Sequence, residues 1–99
     1  MPVTNENVIA QAVLIVAAGR KDGVASFRRI RKELPKLVPL SNDDLAPSTT
    51  RNGEPMWHQI VRNIKSHFEA EGNYIEQGLL VHVPRVGYRI TQAGKKTIN

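Results

Sequence analysis

Apolar residues recur along this chain with two periods, helical over most of its length and strand-like near the end. Val8, Ala12, Ile15, Val16 and Gly19 fall at helical spacing behind Thr4 and Asn5, which predicts a first helix over residues 5–19, capped by Asn5 or Thr4 and ended at Gly19. Arg20 to Gly23 turns the chain and Val24-Ala25 forms a minimal strand. Ser26 then caps a second helix that turns Phe27, Ile30 and Leu34 inward until Pro35 ends it. Ser41-Asn42-Asp43-Asp44 has the form of a capping sequence for one short helical turn through Leu45, stopped by Pro47. Glu54-Pro55 opens the next helix with an acid and a proline where both are favourable. Trp57, Ile60, Val61, Ile64 and Phe68 form an apolar stripe that carries this helix to about Glu71. After Gly72-Asn73 the period changes: Leu79 to Val83 reads as a strand, Pro84 to Gly87 as a turn and Tyr88 to Thr91 as the returning strand. Gln92 to Lys96 adds a last turn.

A helix followed directly by a hairpin with a basic, glycine-containing tip is the outline of a winged helix-turn-helix, an α+β fold with three main helices and a C-terminal two-stranded wing. With 99 residues and 40% apolar content, one domain is expected over residues 1–99. The net charge of +5 favours an anionic partner. Its excess sits in residues 20–39 and 72–99, the second helix and the wing. The absence of cysteine excludes a disulfide framework and a thiolate metal site. The most apolar run, Val8 to Ala18, is too short for a membrane span and lacks a basic leader, so neither export nor insertion is suggested, and a cytoplasmic, nucleoid-associated protein is the expectation.

At 100° per residue, the face of the 55–71 helix opposite its apolar stripe holds Gln59, Arg62, Asn63 and Ser66, flanked by His58. These side chains are of the kinds that read base edges and phosphates, and they are equally an ordinary solvated face. Trp57 has two readings, a core residue on the stripe or a rigid aromatic that meets a base methyl group. Arg28, Arg29, Arg31 and Lys32 put four cations in five residues, a phosphate-binding row or a soluble helix surface. Ser48, Thr49, Thr50, Arg51 and Asn52 precede the helix, where they either hold a phosphate or serve as turn and cap. Arg85 at the wing tip and Arg89 on the returning strand complete the candidate DNA contacts.

Ser48-Thr49-Thr50, Arg51-Asn52-Gly53-Glu54-Pro55-x-Trp57 and Gly87-Tyr88-Arg89-Ile90-Thr91-x-x-Gly94 resemble the N-terminal winged-helix domain of Mrr-type, modification-dependent restriction endonucleases, over almost the whole chain. The resemblance implies a module that binds double-stranded DNA and targets a nuclease domain in the same polypeptide, of which this chain would be the N-terminal part. Some such domains read N6-methyladenine, and the sharper expectation is an adenine-methylated target with Trp57 or Met56 against the methyl group. The basic second helix and the Met56-Trp57-His58 helix start depart from the pattern, so target sequence and methyl dependence do not carry over.

His58, His67 and His82 lack metal-ligand spacing, and no carboxylate cluster is followed by the lysine a restriction nuclease needs, so no metal, cofactor or catalytic residue is expected. A stand-alone winged-helix transcription regulator and a winged-helix protein-interaction module are the competing readings, the first separated by dimerisation and the second by lost positive charge. Oligomeric state is not legible in the sequence.

Overall fold

A computed structural model describes residues 4–48 and 53–98. Among them, five helices and three strands make a small α+β domain: α1 (Glu6–Ala18), β1 (Val24–Ser26), α2 (Phe27–Leu37), α3 (Asn42–Leu45), α4 (Met56–Ser66), β2 (Leu80–Val83), β3 (Gly87–Ile90) and α5 (Gln92–Thr97). The strands form one antiparallel sheet in the order β1-β3-β2, with Val24 opposite Arg89 and Leu80 opposite Ile90. The last strand in sequence is therefore the central one.

Helix α1 starts at Asn5, whose side chain accepts from the Asn7 backbone N–H at 2.7 Å. It packs against α2, α4, β1 and β3, and buries Ile9, Ala10, Ala12, Val13, Leu14, Val16 and Ala17. Ile9, Val13, Leu14 and Val16 each contribute about 1.5–3 kcal/mol by burial. The expected inward stripe is only partly correct, since Val8 and Ile15 are 47% and 42% exposed. With neighbours on several sides, the buried face of α1 is centred on Ile9, Val13 and Val16, and Val8 and Ile15 lie on a side left exposed among the described residues.

Ser26 caps α2 as expected, accepting from the Arg29 N–H at 3.0 Å. The helix does not stop at Pro35 but runs one further turn to Leu37, closed by a hydrogen bond from the Val38 N–H to the Leu34 carbonyl at 3.0 Å. Proline there removes a single backbone bond in the exposed last turn, where solvent can serve the freed carbonyl. Ser41 and Asp44 form a capping box around α3. The buried Asp44 carboxylate also accepts from the backbone N–H and hydroxyl of Thr4, tying the start of the chain to α3.

Helix α4 ends at Ser66 rather than near Glu71, and Phe68 lies outside the helix, 50% exposed. The cause is non-local. Buried Asn73 donates its amide to the Ile64 carbonyl at 2.9 Å, while its oxygen accepts from the Ile75 and Glu76 N–H groups, so the chain is folded back over the helix end. Tyr88, on the inner face of β3, places its hydroxyl between two groups of the α4 ladder, donating to the Val61 carbonyl at 2.5 Å and accepting from the Lys65 N–H at 3.2 Å. Strand β3 thus fixes where α4 lies against the sheet.

The rest of the 87–94 motif is equally structural. A Cβ on Gly87 would run into the carbonyl oxygen of Ala25 on β1, and one on Gly94 would run into the Leu79 carbonyl and the Ile90 side chain. Thr91 does not extend the strand: it caps α5, accepting from the Gly94 N–H at 3.0 Å and donating to the Gly78 carbonyl at 2.6 Å. No helix among the described residues is long and apolar enough to cross a membrane.

Candidate nucleic-acid interface

Helix α4 buries Trp57, Ile60, Val61 and Ile64 and turns Gln59, Arg62, Asn63 and Ser66 away from the core, the division its periodicity requires. The four outward side chains are differently placed. The Gln59 carbonyl oxygen accepts from the hydroxyl of buried Ser48 at 2.5 Å, so Ser48 and Gln59 brace the chain entering α4. Arg62 lies 2.5 Å from the carboxylate of Glu54, both side chains about three-quarters or more buried. That approach is a charge contact without hydrogen-bond alignment, because the same Glu54 oxygen has no hydrogen bond of acceptable angle. Asn63 is half-buried, and Ser66 is exposed at the helix end.

Helix α2 runs beside α4. Phe27, Ile30, Trp57 and Val61 floor a cup of about 210 Å³ between them, and Arg31, Glu54, His58 and Arg62 form its rim. Trp57 is only 3% exposed, so it belongs to the core while what remains of its surface lines the cup. Its ring meets that of His58 edge-on, with centroids 4.3 Å apart. Burial holds the His58 imidazole below its ordinary value of 6.5; Glu54 opposes the shift, and Arg31 and Arg62 reinforce it. A neutral His58 leaves the rim's positive charge to the two guanidinium groups.

Arg28, Arg31 and Lys32 are exposed on α2, whereas Arg29 is half-buried, beside Glu33 and Lys36. Arg28, Arg29 and Lys32 line a shared depression on α2, and of the basic row only Arg31 reaches the cup. The β2–β3 hairpin reaches the same side of the molecule. The Phe27 N–H donates to the Val86 carbonyl at 2.8 Å, joining the hairpin tip to the first residue of α2. Between Val83 and Val86, joined by a 3.0 Å hydrogen bond, Arg85 adopts a φ of 65°. This is the second central position of a turn that would favour glycine, and a non-glycine residue there carries local strain of about 1 kcal/mol. Arg85 is exposed at the tip. Arg89 lies elsewhere, on the outer face of β3 between Val24 and Val81.

Thr49, Thr50, Arg51 and Asn52 lie outside the described residues; the chain on either side is joined by a hydrogen bond from the Ser48 N–H to the Glu54 carbonyl at 2.6 Å. Two participants were absent from the sequence-derived set. Glu54, read there only as a helix opener, is the counter-charge of Arg62. Lys65 is half-buried, and its charge, after burial, helps to depress the His82 imidazole of β2, which places Lys65 at the junction of α4 and the hairpin. Its position three residues after Arg62, at the edge of the same helical face, was the available signal.

Neither the protein-family models, nor the curated proteins, nor the solved structures contain a match to this chain.

Proposed function

We propose that this chain is a winged-helix module that binds double-stranded DNA, with α4 in the major groove, the β2–β3 hairpin as the wing and α2 against phosphates. The observation that carries the reading is the meeting of three elements on one side of the molecule. Arg31 of α2, His58 and Arg62 of α4 and the hairpin tip with Arg85 are joined there by the α2–α4 cup and the Phe27–Val86 hydrogen bond. Cations on the flanks of a polar helix face suit a duplex, whose phosphates border the groove that the helix enters.

In the fuller form of the proposal, the module is the specificity arm of an Mrr-like restriction endonuclease, itself without catalytic residues, acting on nucleoid DNA and reading N6-methyladenine in its target. The 87–94 motif and the helix opened by Pro55-x-Trp57 support the winged-helix part of this form and not its target. Burial of Trp57 leaves the apolar floor of the cup, rather than an exposed indole, to receive a methyl group.

The test is binding to pooled duplexes, methylated and unmethylated at adenine, across several salt concentrations. Steeply salt-dependent binding with enrichment of methylated sites is expected. Salt-dependent binding without enrichment removes the methyladenine reading, and no binding removes the proposal.

One observation favours a second reading, a stand-alone transcription regulator: Val8, Ile15 and Leu37 are exposed on the α1–α2 side, where a two-fold partner would cover them. Dimerisation at micromolar concentration distinguishes it.

A further inference from the structure

We propose that Arg62 reads a guanine through the edge carrying O6 and N7, and that Glu54 is the residue that positions it. The inference rests on the DNA-binding reading and assigns a base to one side chain. Arg62 lies roughly 140° around α4 from Trp57, so it faces away from the core. Its Nη1 sits 2.5 Å from the Glu54 carboxylate. A guanidinium has five N–H donors in a planar fork, so a contact made by one nitrogen leaves the edge formed by the other terminal nitrogen and Nε available. Guanine is the base that presents two acceptors side by side in the major groove, and a bidentate arginine is the matching partner.

The other outward groups of α4 fit guanine less well. Gln59 already gives its carbonyl oxygen to Ser48, and that oxygen is the half of the amide that adenine's amino group would need. Asn63 carries an amide, which suits adenine rather than guanine, and Ser66 discriminates little. Arg62 is the group that is both held and rich in donors. Holding it reduces the side-chain freedom otherwise lost on binding, and the contact made by Nη1 leaves the other edge of the fork to align with a base.

The carboxylate also has an opposing effect, because it faces a polyanion. Glu54 therefore weakens general attraction to DNA while sharpening the choice of base, a combination that a purely structural ion pair does not produce. Randomised duplexes are selected with the wild-type chain, and binding of the selected duplex is compared with the same duplex carrying 7-deazaguanine at the preferred guanine. The loss expected is about ten-fold, within the range for one bidentate pair. Arg62→Lys keeps the charge and removes the fork, so it loses that guanine preference, read as the ratio of its affinities for the selected duplex and its 7-deazaguanine counterpart. Glu54→Gln binds random duplex more tightly than wild type and discriminates less, with its melting temperature recorded alongside. Equal affinity for guanine and 7-deazaguanine, or an intact guanine preference in Arg62→Lys, overturns the assignment while DNA binding stands. Undiminished discrimination in Glu54→Gln overturns the positioning role. Absence of salt-sensitive binding to any duplex overturns the DNA-binding reading beneath it.

Discussion

The segment from Gly87 to Gly94 and the outward face of α4 are both dense in distinctive residues, and they use them in opposite directions. In the first, Gly87 leaves room for a neighbouring backbone, Tyr88 enters the α4 ladder, Ile90 is core, Thr91 caps α5 and Gly94 admits the Leu79 carbonyl. Arg89 is the one charged residue among them, and it faces out from the sheet. In the second, Gln59, Arg62, Asn63 and Ser66 lie opposite the buried stripe, with Gln59 held by Ser48 and Arg62 by Glu54. The 87–94 motif thus reports how the chain folds, and the residues proposed to choose a target lie elsewhere. Resemblance in the first region says nothing of what the second region reads.

The sharpest way to break the contrast is Gly87→Ala. Its methyl group meets the backbone of β1, which cannot move aside as a flexible side chain could, and a loss of about 3 kcal/mol or more is expected in chemical denaturation. Asp44→Asn comes next, since it replaces a buried carboxylate that accepts from Thr4 and Ser41, at a cost of about 2 kcal/mol. This substitution also carries a pH signature. Burial opposes ionisation of Asp44, but the hydrogen bonds from Thr4 and Ser41 outweigh it and hold the carboxyl below its ordinary 3.8. A folded-state value below the unfolded one gives stability that is present above pH 3.8 and lost as pH falls through the folded value. Melting temperature measured from pH 7 downward should therefore fall more steeply for the wild type than for Asp44→Asn once the pH drops below about 4.

Tyr88→Phe removes only the hydroxyl and its two bonds to the α4 backbone, so about 1 kcal/mol is expected from calorimetry. The smallest effect on stability is expected where the proposed function is greatest. Replacing Arg28, Arg31 and Lys32 together by glutamine should move the folding free energy by less than about 0.5 kcal/mol. The same change should lower the slope of log affinity against log salt for duplex DNA by about 2 to 3, roughly one unit or slightly less for each phosphate that is no longer neutralised.

Much of this fold was legible because its signals are local. Asn5, Ser26 and Ser41 cap helices within three residues of themselves, and the glycine-bearing tip 84–87 sits between two apolar runs. The errors arose where a distant group decides. Asn73 ends α4 from nine residues past Ile64, and the neighbours of α1 determine that Ile9 rather than Val8 faces inward. The candidate face was legible from helical periodicity alone. Its internal pairing was not: Glu54 precedes the helix and reaches Arg62 eight residues on, and Ser48 holds Gln59 from eleven residues before it. Those contacts depend on how the chain returns at the Pro47–Pro55 bridge, which no local pattern specifies.

The most direct test of the division between a structural segment and a reading surface is residue-by-residue mapping of backbone amide shifts as duplex DNA is added. Shifts concentrated at His58, Gln59, Arg62, Asn63 and Ser66, with Arg28, Arg31 and Arg85 on the flanks and Ile90 to Gly94 unmoved, are the predicted result. Shifts confined to the α1–α2 side around Val8, Ile15 and Leu37, or none at saturating duplex, would contradict it.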